Sequence, residues 1–166
     1  METQEKSVPQ TKTPIIDRQQ LLAHWQGHRS LTRRVIGLFP DDKLFSFRIG
    51  GMRPFGAIIQ ELLAIAGPGV VGLATNEWNN LDENLAGLDT KEKLLSAWDE
   101  TTERINEWWP RVPEERFQER ITAFGQYEDV GYCTLLYFID NEIHHRGQGY
   151  VYLRYLGVAP PNFWER

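Results

Sequence analysis

Asn141, His145 and Gln148 are the residues of this chain best placed to do chemistry together. They belong to the series Phe138, Asn141, His145, Gln148, Tyr152 and Tyr155, which follows the three-four spacing of a helix seam. Apolar and aromatic residues bracket the three polar ones. A buried polar group without a partner costs about 1–3 kcal/mol, so an inward-facing amide, imidazole and second amide must find hydrogen bonds, water or a ligand. Two readings follow from the spacing alone. One is a satisfied polar layer that fixes helix register; the other is a ligand or metal site in a bundle core. Glu61, at the edge of another apolar arc, reads by pattern as a surface carboxylate, and at a seam it is also a hard metal ligand. His24 and His28 lie four apart, a chelating distance on a helix, yet Gly27 and Arg29 beside them fit a solvated face. Cys133 is the lone cysteine and, within an apolar run, reads as a small core residue.

These residues need rigid elements to hold them. The seam lies in one long helix read from Asp129 to Gly157, with Asp129 as N-cap, Gly157 at C′, and Pro160 and Pro161 barring continuation. Gly147 and Gly149 each weaken a helix by about 1 kcal/mol relative to Ala, so packing must sustain it. Glu61 belongs to an apolar helix starting at Pro54, which the run Gly67-Pro68-Gly69 is expected to kink or break. A first helix, capped by Thr13 with Pro14 in its first turn, carries Trp25, Leu31, Val35 and Ile36 as far as Pro40. A third, capped by Asp89 or Thr90, buries Leu94, Trp98, Ile105 and Trp108 and ends at Pro110. Phe45 and Phe47 read as extended chain ahead of a turn at Gly50-Gly51. Val112 to Gln126 reads as a crossover, and Phe163-Trp164 as an exposed pair in the C-terminal tail.

Four such helices with long connections give an all-α, antiparallel four-helix bundle as the fold class. Residues 1–13 read as a flexible N-terminal tail and 14–166 as one domain. The net charge of −5 argues against nucleic acid as a partner, because phosphate is met with excess Lys and Arg. It gives no support for a polybasic membrane anchor either. One cysteine, no apolar signal core and no run of about 20 uninterrupted apolar residues point to the cytoplasm. Phosphate-loop, dinucleotide, CxxC zinc and G-x-S-x-G patterns are absent from the sequence.

The run NEIHHRGQGYVYLRYLGVAPP, Asn141 to Pro161, resembles the closing motif of the DinB-like (DinB/YfiT) superfamily. MRPFGAIIQE, Met52 to Glu61, resembles the start of that family's second helix, and Trp25 matches a Trp of its first. The resemblance implies a bundle of up-down-down-up order, a bacterial source, a homodimer, and a divalent metal held by three histidines. Characterised branches resemble S-transferases that use low-molecular-weight thiols such as bacillithiol or mycothiol; others are called metal-dependent hydrolases. Carried over, His145 stands at the last histidine position, Asn141 where its helix partner belongs, and Glu61 where the second helix supplies its histidine. The implied metal set is therefore Glu61, Asn141 and His145, a harder and weaker site than three imidazoles, with Mn, Ni, Zn, Mg or no metal as the cofactor. His28, His144 and Gln148 are implied as surrounding pocket residues, and His28 or Glu142 as a base. Two functions stay open. One is a metal-dependent transferase or hydrolase acting on a small-molecule or thiol substrate. The other is a non-catalytic dimeric bundle that has lost the metal and binds a small molecule or protein, its polar seam residues bonded to one another.

Overall fold

A computed structural model describes residues 14–83 and 85–166 of the chain. The tail assigned to residues 1–13, and Thr13 as a cap, lie outside the described residues. Five helices carry most of the rest: α1 Arg18–Leu38, α2 Asp41–Leu44, α3 Phe55–Thr75, α4 Lys91–Trp108 and α5 Gly131–Tyr155. Helices α1 and α3 each pack against both α4 and α5, and the short α2 lies in the first connection. The mostly helical class is as expected. The connection from α4 to α5 differs, because it contains an antiparallel hairpin of β1 Arg120–Ala123 and β2 Tyr127–Val130. Ile121 and Ala123 face inward from β1 and join the core. Phe124, at the turn, adopts a left-handed φ of 54°. That conformation costs a non-glycine residue about 1–2 kcal/mol, offset here by burial of its ring against Trp78 and Phe138.

Several helix ends depart from their sequence signals. Asp17 caps α1, which begins beyond Pro14: its carboxylate accepts from the Gln20 N–H, and the Gln20 side chain accepts from the Asp17 N–H. Asp129 does not cap α5. It sits in β2, paired with Ile121, and its carboxylate accepts from the neighbouring Val130 N–H. The strand therefore runs straight into the helix, from Val130 to Gly131. At the other end the expectation holds. Gly157 takes a φ of 76°, and the Val158 and Gly157 N–H groups donate to the Leu153 and Arg154 carbonyls, a Schellman closure. Thr90 caps α4 through the Lys93 N–H. Phe45 and Phe47 do not follow an extended strand; Asp41–Leu44 is helical and Phe45 continues it as C-cap.

Pro68 does not break α3, which runs unbroken from Phe55 to Thr75. Proline deletes one backbone donor and crowds the preceding turn. Here it points outward, while Ala64, Ile65, Ala66, Gly67, Gly69 and Val70 around it are all buried, so packing holds the helix through the lesion. By length and hydropathy α3 alone, among the described helices, would suit a bilayer. Its burial against α4 and α5 accounts for that hydropathy.

The apolar core comes in two clusters. One gathers Trp25, Ile65, Val70, Ile105, Trp109 and Phe138 at the hairpin end. The other gathers Val35, Phe39, Phe55, Ile59, Trp98 and Tyr152 at the opposite end. Polar residues cross the bundle between them.

Candidate functional site

The polar layer consists of residues that interrupt the apolar faces at matching heights. On α1 these are His28, Arg29 and Thr32, between Trp25 and Val35; on α5 they run from Asn141 to Gln148, between Ile139 and Tyr152; on α3 the residue is Glu61. The layer divides into two halves on opposite sides of α5.

The first half joins α3 to α5. Glu61 Oε1 lies 3.1 Å from His145 Nε2 and 3.3 Å from Asn141 Nδ2, and Oε2 accepts from the Arg53 guanidinium. A carboxylate facing Nε2 requires that nitrogen to carry its proton. Nδ1 of the same ring lies 3.1 Å from Gln148 Oε1, and Gln148 Nε2 reaches His144 at 3.3 Å. The hydrogen bond from His145, reinforced by Arg53, holds the Glu61 carboxyl at about 2, against the upward push of burial. Arg53 is itself held in place: Tyr152, seven residues beyond His145, donates its hydroxyl to the Arg53 carbonyl at 2.8 Å. Gly149 lets the helices close here, since a Cβ would sit 2.5 Å from the Phe55 ring.

The second half joins α1, α4 and α5 and is fully enclosed. Arg29 is 1% exposed, Glu142 2% and Arg146 4%. Thr32 Oγ1 lies 2.6 Å from Glu142 Oε1, and the Arg29 and Arg146 guanidinium groups stand 3.8 and 3.9 Å from the same carboxylate. Arg29 stacks over Trp98 and donates to its carbonyl, while the Trp98 indole N–H donates to the Arg29 carbonyl. Arg146 Nη2 lies 2.9 Å from His28 Nδ1, and Arg166 reaches His28 Nε2 at 3.1 Å. Burial, then Arg146, His24 and Arg166, pushes the His28 imidazole down to about 4. Burial pushes Glu142 upward, opposed by Arg29, Thr32 and Arg146.

The structure thus brings Glu61, Asn141, His145 and Gln148 together. The surface reading of Glu61 is corrected, since its side chain is only 12% exposed. His144 is exposed and reaches the group only through Gln148. His28 is neither solvated nor part of this pocket: it is buried in the second half, while His24 is exposed. Arg29, read as surface, is among the most enclosed side chains, because an indole face, two hydrogen-bond acceptors and the charge of Glu142 at 3.8 Å stand in for its water. Glu142 is too deep to act as a base at Glu61. Tyr155 leaves the seam in the last turn of α5 and is 74% exposed, against Phe47. Cys133 is half-buried rather than core. The pattern missed Arg53, because it precedes the helix and so falls on no helical wheel. It also missed the hairpin, although Ile121 and Ala123 alternate with polar residues ahead of Gly125.

Beside Glu61 opens a cavity of about 430 Å³ between α3, α5 and the hairpin. Ile65, Phe124, Cys133, Tyr137 and Phe138 form part of its wall, and Tyr127 and Asp129 reach it from β2. Among the described residues, no group of three or more His, Cys, Asp or Glu side chains is arranged to hold a metal ion.

A family model described as the DinB family matches residues 9–166. Among solved structures, a DinB-like protein from Bacillus cereus ATCC 10987 superposes with a TM-score of 0.72 at 14% identity, covering 88% of this chain and 97% of that one. A DinB-like protein from Bacillus subtilis gives 0.70 at 20% identity, covering 89% and 98%. At these identities the likeness is one of fold. No curated protein matches the chain.

Proposed function

The chain belongs to the DinB family, and from that premise we propose that it is a small-molecule-binding member whose α3–α5 seam is closed by an internal cation. One observation carries this reading: both oxygens of Glu61 are already engaged, Oε2 by Arg53 and Oε1 by His145 and Asn141. A divalent metal needs lone pairs from deprotonated ligands. Here the imidazole nitrogen facing the carboxylate donates a proton, the amide presents its NH2, and a guanidinium holds the second oxygen. Glu61, Asn141 and His145 therefore fit a closed ion-pair network better than a Mn, Ni, Zn or Mg site. What stays open to a ligand is the cavity whose wall includes Glu61.

The up-down-down-up order of the four long helices, a bacterial source and a cytoplasmic location belong to the same reading. So does a homodimer, supported by α5: Tyr132, Leu136, Ile143 and Val151 are exposed apolar residues along one face of it. Sedimentation at micromolar concentration tests the dimer, and a monomer there removes it.

Metal titration tests the seam. Binding to the folded state raises stability by RT ln(1 + [L]/Kd). Untagged protein stripped with chelator should show no rise in melting temperature with Mn, Ni, Zn or Mg. A rise that His145→Ala abolishes would restore the metal-dependent transferase or hydrolase.

A further inference from the structure

We propose that the cavity between α3, α5 and the hairpin takes a small organic cation, a protonated amine carrying an apolar or aromatic body. The inference rests on the small-molecule reading above and names the chemistry of its ligand.

The cavity is layered. Ile65, Ala123, Phe124 and Phe138 make a buried apolar floor, continuous with the hairpin-end core. Tyr127 and Tyr137, 56% and 55% exposed, bring two further rings to the mouth. An apolar floor of this size suits a ring or branched alkyl group. Rings at a half-open mouth favour a cation, through the negative face of the π system.

The charges around it select the same sign. Glu61, Glu83, Glu128 and Asp129 line the cavity, and among the described residues no Lys, Arg or His does. Glu61 is paired with Arg53, and Glu128 with Arg120. Asp129 accepts only from the Val130 N–H in its own strand, and neither Asp129 nor Glu83 has a basic partner among the described residues. The mouth is thus left with net negative charge beside two aromatic rings. The Tyr137 phenol registers this field: burial, Glu61, Tyr127 and Glu83 all push its ionisation upward. A low-dielectric floor focuses such a field and raises the local concentration of cations. An anionic thiolate would meet repulsion at the same mouth.

The test uses three probes of similar size on the full chain: phenethylamine, phenethyl alcohol and phenylacetate. Binding is followed by ligand-observed NMR and by chemical shifts of the Tyr127 and Tyr137 rings. The amine should bind at least about tenfold more tightly than the alcohol, and added salt should weaken it, as expected for a screened charge. The double variant Glu83→Gln/Asp129→Asn should lose about tenfold for the amine and leave the alcohol unchanged. Tyr137→Leu should lose about fivefold through the ring contact. These positions are exposed, so an unchanged melting temperature certifies the fold. Equal affinity for the alcohol, tighter binding of phenylacetate, absence of saturable amine binding, or amine binding indifferent to both variants would each overturn the proposal. The failures separate. Alcohol or phenylacetate binding that shifts the Tyr137 ring rejects the cation and keeps the cavity as a ligand site. A metal-induced melting shift rejects the seam reading instead.

Discussion

The two halves of the polar layer use the same parts to opposite ends. Each has a glutamate, a histidine and at least one arginine, and both draw on α5. In the α3–α5 half the carboxylate meets its partners at hydrogen-bond distance, beside a cavity, and its carboxyl is held at about 2. In the α1–α4–α5 half the guanidinium groups stand 3.8 and 3.9 Å from a carboxylate that burial pushes upward and that is only 2% exposed. The contrast teaches that direct contact, more than the residue list, decides which acid is ionised cheaply. It also separates surroundings: the enclosed half is buried among three helices, and the open half adjoins a cavity.

Breaking the enclosed half should have the largest effect. Removing one partner of a buried ion pair leaves the other charge without compensation and costs about 3–5 kcal/mol. Arg29→Met is expected to fall in that range by urea denaturation, since Arg29 also packs on Trp98 and donates to Thr102. Glu61→Ala should cost clearly less, about 1–2 kcal/mol, because its partners regain water through the cavity. Equal losses in the two variants would erase the distinction between the halves.

Acid titration sharpens the same comparison. His28 is held down at about 4 from an ordinary 6.5, so the unfolded chain takes up its proton first. Stability from His28 is whole above pH 6.5 and is lost as pH falls towards 4. Glu61 is held at about 2 from an ordinary 4.5, so its contribution is whole above pH 4.5 and is lost as pH falls towards 2. Melting curves of His28→Gln should lack the first loss and keep the second; Glu61→Gln should do the reverse. A single shared acid transition in both variants would show the halves to be one unit.

The smallest expected effect concerns the two glycines of α5. Gly147→Ala meets nothing within 4 Å and should stabilise by about 0.5–1 kcal/mol, whereas Gly149→Ala strikes the Phe55 ring and should destabilise. Calorimetric melting of the pair checks both signs.

The open half was legible in the sequence because its members obey helical spacing. Asn141, His145 and Gln148 share one face of α5, and the matching run from Met52 to Glu61 supplied the fourth residue. The enclosed half was not, for a physical reason. Arg29 and Glu142 carry charges, which spacing assigns to water, and only the tertiary arrangement shows that an indole, a threonine and opposite charges replace that water. Arg53 was missed because it lies outside any periodic element. Pro68 misled because its local penalty is real but smaller than the burial around it. The hairpin was hidden by its brevity, four residues in each strand.

The join between β2 and α5 has a mechanical consequence. With Val130 in the strand and Gly131 already in the helix, no slack segment separates the mouth of the cavity from the rod that carries Asn141, His145 and Arg146. A molecule that shifts Tyr127 or Asp129 on arrival pulls on that rod directly. A displacement of the rim would therefore reach both sides of the layer through one element, with no compliant loop between.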